Sequence, residues 1–317
     1  MLNILGWTIA FIVSLYVLIK ASDYFTDSAE KIGMFFGLSP FIVGVTIVAF
    51  GTSLPEVITS VVAVLKDSSE IVVGNVVGSN IANVFLVFGL TAIVAKQMTI
   101  KHDLIKVDLP FLIGSAFLLA VTIWDGAFNR FEALLCLAGL GVYLLYTTTT
   151  EEKHKDTLLQ KELEEKKEKS PRKAWAVLVA SAAFICLGAN YTIESIIRLS
   201  ALLDIGKEVI AVSAVAFGTS LPELFVTISA VKKGKPEIAV GNVLGSNIFN
   251  ALAVMGIPAL LGPLVIPHGI VVFGLPMMLI ATFLFVFMTL DKEIAKWEGW
   301  LLLIFYTFFI GKLFKFF

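Results

Sequence analysis

Apolar runs of about 20 residues recur along the whole chain, separated by short breaks that hold most of the charge. A helix of about 20 apolar residues crosses a bilayer. The pattern predicts ten spans, near 2–21, 41–65, 70–95, 108–125, 131–149, 174–197, 208–231, 237–262, 269–290 and 297–315. The first run reaches Lys20 before any charged side chain, without the basic start and small-residue cleavage site of a signal peptide. It reads as a retained first span. The one long polar stretch, EEKHKDTLLQKELEEKKEKSPRK at 151–173, reads as a solvated connector. It divides the chain into halves of five spans, 1–150 and 174–317, and is too short for a calcium-sensing domain.

The halves are related. Residues 41–94 align without a gap to 208–261 at an offset of 167, with 27 of 54 positions identical by direct count. Upstream the likeness is fainter, with Tyr24 meeting Tyr191, Ser28 meeting Ser195 and Asp23 meeting Asn190. Five spans per half is an odd number, so the second half enters the bilayer from the opposite side. The predicted fold class is therefore an all-α membrane protein of ten transmembrane helices in two inverted five-helix repeats. Inverted repeats are typical of secondary transporters, whose substrate site lies near the midplane where the repeats meet.

Composition agrees with this class: 58% of residues are apolar and 15% charged, against roughly 45–50% and about 25% in soluble domains. The net charge of −1 says little, but its distribution orients the chain. With the connector inside, 18 of the 24 Lys and Arg fall in inside loops and 6 outside. The positive-inside rule then places the connector in the cytoplasm of a plasma-membrane protein and both termini outside. Cys136 and Cys186 lie within apolar spans and read as buried hydrophobes. His102, His154 and His268 fall in predicted loops and are expected to face solvent.

Candidate chemistry concentrates where the repeats agree best. AFGTSLPE occurs at Ala49–Glu56 and Ala216–Glu223, and GNV-x-GSNI-x-N at Gly74–Asn83 and Gly241–Asn250. A carboxylate at membrane depth costs at least about 2.5–3.5 kcal/mol, so Glu56 and Glu223 demand compensation. Pro55 and Pro222 lack an amide hydrogen, and Gly51 and Gly218 weaken the helix beside them. The carbonyls of 49–52 and 216–219 are then expected to be partly released from helix bonding. Two bidentate glutamates plus the carbonyls of Thr52 and Thr219 supply six oxygens, within the six to eight that calcium takes. Neither motif contains Cys or His, which disfavours zinc, copper or iron. Ser79 and Asn83, like Ser246 and Asn250, are one turn apart on one face and are candidate oxygen ligands for sodium or calcium. Gly74/Gly78 and Gly241/Gly245 read as small-residue pairs for close helix packing. Asp23, Asp27, Glu30, Asp125, Glu132, Glu194, Asp204 and Glu298 read as residues at span ends.

GTSLPE followed by GNVVGSNIANVF, and GTSLPE followed by GNVLGSNIFNAL, resemble the paired repeats of the cation/calcium antiporter superfamily, most of all its prokaryotic sodium/calcium exchangers. The resemblance implies a calcium site at Glu56, Glu223 and the backbone of Thr52 and Thr219. It implies an inner sodium site at Ala49, Ser53, Glu56 and Ser246, and an outer one at Ala216, Thr219, Ser220, Glu223 and Ser79. A middle site would touch Asn83, Asn250 and both glutamates. Spans one and six would slide against the rest to switch access. Some relatives carry Asp at the position of Asn250, associated with potassium transport; Asn250 argues against potassium here.

The function expected is electrogenic exchange of three Na⁺ for one Ca²⁺ by alternating access, with calcium/proton exchange through the same glutamates as the alternative. A passive channel fits the repeats poorly, and no nucleophile–base set points to an enzyme. The expected partners are Ca²⁺, Na⁺ and the lipid bilayer, with no cofactor, no nucleic acid and a functional monomer.

Overall fold

The computed structural model describes residues 2–65, 67, 69–95, 97–153, 172–202 and 220–313. Helices dominate them. We number these α1 (Leu2–Phe36), α2 (Pro40–Leu65), α3 (Glu70–Ala95), α4 (Asp108–Thr122), α5 (Arg130–Lys153), α6 (Arg172–Leu202), α7 (Leu221–Lys232), α8 (Pro236–Ala259), α9 (Ile270–Leu290) and α10 (Lys296–Leu313). Seven of them, α1, α2, α3, α5, α6, α8 and α9, are long and apolar enough to cross a membrane. Of the others, α4 has 15 residues and the described part of α7 has 12, while α10 has 18 but carries Lys296, Glu298 and Lys312.

The centre is built from α2, α3, α7 and α8, and the apolar window of α8 is buried along its whole length. Backbone meets backbone where the N-terminal half of α2 crosses α8. A Cβ on Gly241 would fall 2.5 Å from the Phe41 carbonyl oxygen, and one on Gly245 the same distance from that of Val45. The packing role expected of this glycine pair is therefore visible. At Gly74 and Gly78 no such approach occurs among the described residues.

Helices α1 and α6 run along one another on one flank, with the Thr192 hydroxyl donating to the Ser14 oxygen at 3.0 Å and Gly188 against Leu18. Both are longer than the apolar pattern predicts, and α1 continues to Phe36 where the first span was expected to end near residue 21. Polar side chains in this extension are satisfied without breaking the helix. Ser22 and Thr26 bond carbonyls four residues back. Asp23, Asp27 and Glu30 line up at helical spacing and meet the end of α7: Ser229 donates to Asp23 at 2.7 Å, Lys233 reaches Asp27 at 2.7 Å, and Lys235 pairs with Glu30. These carboxylates are interhelical partners within α1, which continues past them to Phe36. Lys20 and Arg198 likewise lie inside helices, where Arg198 pairs with Glu194 and stands 5.7 Å over the Trp7 ring. Glu298 is buried against the amide of Ala295.

His102 is not solvent-facing. Its ring stacks on Phe41 at 4.1 Å and its Nε2 is 3.1 Å from Asp108, which also accepts from the Tyr143 hydroxyl at 3.1 Å. Tyr143 and Asp108 are nearly inaccessible, so the loop before α4 is tied inward. His268 is exposed as expected, and His154 lies outside the described residues.

Four short strands, β1 (Gln97–Thr99), β2 (Ala127–Phe128), β3 (Leu264–Val265) and β4 (Glu293–Ala295), add to the expected helices. They form two antiparallel clips, β1 with β4 and β2 with β3, each joining a loop of one half to a loop of the other. Gln97 faces Ala295 and Met98 faces Ile294; 167 residues along, Leu264 faces Phe128 and Val265 faces Ala127. The repeat offset turns one clip into the other, register included.

Candidate ion-binding site

In α2 the helix stops at Thr52, passes through Ser53 at φ −86°, ψ 0°, and restarts at Leu54. The regular bonding pattern is missing around the carbonyls of Phe50, Gly51 and Thr52, and Pro55 has no N–H to offer Gly51. Ala49 differs from expectation: its carbonyl accepts the Ser53 amide at 3.0 Å and lies within reach of the Thr52 hydroxyl at 3.3 Å. In the other half Ser220 takes nearly the same conformation, φ −90°, ψ 2°, and α7 starts at Leu221 with Pro222 in its first turn. Proline suits the first turn of a helix, where an amide hydrogen has no intrahelical partner. Each proline thus opens a new helical segment and sets a glutamate in its first turn. The positive end of the helix dipole offsets part of the cost of that charge.

Glu56 and Glu223 are each 1% exposed, and their carboxylates are near enough to repel one another. Among the described residues no Lys, Arg or His forms an ion pair with either. Oε2 of Glu56 and both carboxylate oxygens of Glu223 have no hydrogen-bond partner there. Thr52 and Ser53 stand beside Glu223, so the break in α2 faces the glutamate of α7. Ala49 packs on the Gly245 backbone next to Ser246.

The second motif supplies the opposite walls. Wide π-helical turns begin at Asn83 in α3 and at Asn250 in α8, positions related by the 167-residue offset. Such turns occur frequently at functional sites. The turn after Asn83 packs on α7, which bears Glu223, and the turn after Asn250 packs on the part of α2 that bears Glu56. Ser53, Asn83, Ser246 and Asn250 are buried, and each has a side-chain polar atom without a partner among the described residues. Ser79 and Ser220 are buried as well. Buried polar atoms are ordinarily paired, so their concentration in one region marks a place that accepts something polar. Ala216 and Thr219 lie outside the described residues.

Sequence reasoning passed over four asparagines of the same motif. Asn75 donates to the Ser60 oxygen at 3.2 Å and to the Glu56 carbonyl at 3.4 Å. Asn242 donates to the Thr227 oxygen at 2.9 Å and accepts from Thr52 at 3.2 Å. Asn80 donates to the Asn247 carbonyl at 3.2 Å, just ahead of the wide turn in α8. Their identity in both repeats was the available signal. Of the two cysteines expected to be buried hydrophobes, Cys136 is buried and Cys186 of α6 only partly so.

Comparison with known proteins gives one consistent answer. The profile of the family described as sodium/calcium exchanger protein matches residues 6–149 and 173–315. The chain is 36% identical to the sodium/calcium exchanger MaX1 of Methanosarcina acetivorans, over 96% of this chain and 97% of that one. It is 32% identical to the inner membrane protein YrbG of Escherichia coli, over 81% and 80%. A solved structure of the sodium-calcium exchanger NCX_Mj, soaked with 100 mM Na⁺ and 10 mM Sr²⁺, superposes with a TM-score of 0.83 at 28% identity, covering 97% and 98%. The profile match along both halves, with a relative 36% identical over nearly the full length of both chains, places this chain in the sodium/calcium exchanger family.

Proposed function

We propose that the protein exchanges Ca²⁺ for Na⁺ across a membrane by alternating access, through ten spans in two inverted repeats. The observation that carries this reading is the pair Glu56 and Glu223, both 1% exposed and without a basic ion-pair partner among the described residues. Two carboxylates at low dielectric repel one another and are costly while unpaired. Bound cations remove that cost, so movement between the two access states is favourable only with the site loaded. That condition couples the two ion fluxes.

In this reading Glu56, Glu223 and the carbonyls of Thr52 and Thr219 hold Ca²⁺. Sodium occupies an inner site of Ala49, Ser53, Glu56 and Ser246 and an outer site of Ala216, Thr219, Ser220, Glu223 and Ser79. Asn83 and Asn250 line the middle. The twofold match of the serine breaks and of the clips supports the inverted repeat. Three Na⁺ per Ca²⁺ moves one net charge. A tenfold sodium gradient with 100 mV then supplies about 6.5 kcal/mol, enough for roughly four to five decades of calcium gradient. Family membership favours sodium over protons as the coupling ion.

The test is ⁴⁵Ca uptake into proteoliposomes loaded with sodium, potassium or choline, with and without a pH gradient. Uptake is expected only with internal sodium; uptake that ignores sodium and follows pH would establish proton coupling instead. Glu56→Gln and Glu223→Gln are each expected to abolish exchange, and near-normal flux in either rejects the carboxylate pair.

A further inference from the structure

We propose that Asn242 is a positioning residue that fixes the broken backbone of α2 against the glutamate helix of the other half, with Asn75 bracing the glutamate segment of α2 from within its own half, and so sets the affinity for the transported cations. The inference rests on the exchange site described above and extends it to residues that do not belong to the ion-ligand set.

Asn242 of α8 is fully buried, and its amide nitrogen donates to the Thr227 hydroxyl oxygen at 2.9 Å. In the structure the amide nitrogen is turned to Thr227. The side-chain oxygen therefore points to Thr52, whose hydroxyl donates to it at 3.2 Å. Thr52 is the last helical residue before the break in α2, and Thr227 stands one turn beyond Glu223 in α7. One side chain thus touches both walls of the site.

The Thr52 hydroxyl has a single proton; Asn242 at 3.2 Å and the Ala49 carbonyl at 3.3 Å are in reach of it, and the Glu223 carboxylate stands beside it. Holding that proton toward Asn242 keeps a lone pair of the Ala49 carbonyl open. It also fixes the rotamer of Thr52, whose carbonyl lies in the break.

The other half shares one arm of the arrangement, while Thr219, the counterpart of Thr52, lies outside the described residues. Asn75 of α3 donates to Ser60, one turn beyond Glu56, and to the Glu56 carbonyl itself. Ser60 and Thr227, like Asn75 and Asn242, are related by the 167-residue offset. An asparagine that merely glued two helices together would have no reason to choose, in both halves, the hydroxyl one turn past the glutamate.

The experiment measures purified protein in detergent by Ca²⁺- and Na⁺-dependent thermal stabilisation, and in proteoliposomes by ⁴⁵Ca flux. Asn242→Ala is expected to raise the half-saturating concentrations of Ca²⁺ and Na⁺ about tenfold, with maximal exchange within about twofold of wild type. Thr52→Val, which keeps shape and loses the hydroxyl, is expected to raise the same half-saturating concentrations, Thr52→Ser to restore wild-type affinities, and the Asn242→Ala/Thr52→Val double variant to bind little more weakly than either single. Thr227→Val frees the Asn242 amide and serves where Asn242→Ala does not fold; it is expected to weaken both ions several-fold. Unchanged half-saturation in Thr52→Val and Thr227→Val, or fully additive losses in the double variant, would overturn the proposal. A lower Tm and maximal rate at unchanged affinity would leave the asparagines with a purely structural role and overturn it equally. Wild-type protein that is stabilised by Ca²⁺ yet shows no sodium-driven flux would sink the exchange reading alone, since the affinity shifts are still read from stabilisation.

Discussion

Replacing Gly245 by alanine tests whether the site depends on the contact of α2 with α8. The added Cβ would stand 2.5 Å from the Val45 carbonyl oxygen and 2.8 Å from both the Val45 Cα and the Ala49 Cβ. Carbon and oxygen rest at about 3.3–3.6 Å, so the two backbones must part locally by roughly 1 Å. Overpacking of this kind costs about 1–3 kcal/mol, from which alanine recovers up to about 1 kcal/mol of helix propensity. A net loss of about 1–2 kcal/mol follows. The displacement falls between Ala49 and Ser246, two members of the proposed inner sodium site. Sodium binding should therefore suffer most, with half-saturating Na⁺ up about tenfold, the equivalent of about 1.4 kcal/mol. Gly141→Ala on α5 is the control, because nothing lies within 4 Å of its added Cβ. Thermal unfolding and Na⁺ competition against ⁴⁵Ca uptake report both quantities. If Gly245→Ala matches Gly141→Ala in Tm and in sodium competition, the backbone contact does not shape the site.

Three further outcomes are expected. Lys233→Ala removes the donor to the Asp23 carbonyl and the partner of Asp27, so α1 should loosen from α7 and spin-label distances between those helices should broaden; unchanged distributions would dismiss the ion pairs as incidental. Tyr143→Phe leaves buried Asp108 one donor short and should lower stability by about 1–3 kcal/mol in thermal unfolding, with Ca²⁺ affinity unaltered; a wild-type Tm would contradict this. Ser14→Ala removes the hydroxyl bond between α1 and α6 and should cost only about 0.6 kcal/mol, so a loss of several kcal/mol would show that the flank depends on polar contacts more than on packing.

The centre of the molecule was legible in the sequence because its constraints are local. Gly, Thr, Ser, Pro and Glu in succession specify a helix stop, a restart and a charge in the new first turn of α2, and α7 begins with the same serine conformation, proline and glutamate. The glycines of α8 that pack on α2 were legible for the same reason. The end of α1 was not, because average hydropathy falls at Asp23 while the helix continues. Its partners Ser229, Lys233 and Lys235 lie more than 200 residues away. His102 misled in the same fashion: polar and in a loop, it is drawn inward by Phe41 and Asp108, neither adjacent in sequence. Asn75 and Asn242 were present in a recognised motif, but only the donor–acceptor geometry separates a residue that holds a ligand from one that supplies it.

The paired clips carry a consequence for assembly. Each joins residues roughly 140 to 200 positions apart, so neither can close until most of the chain has left the ribosome. Since each pairing is the image of the other, two separate copies of a single half, inserted in opposite orientations, could form both without any covalent connection. The polypeptide between the halves then acts as a tether that guarantees stoichiometry. Co-expressing 1–160 and 161–317 as separate chains should yield a complex that co-purifies and transports.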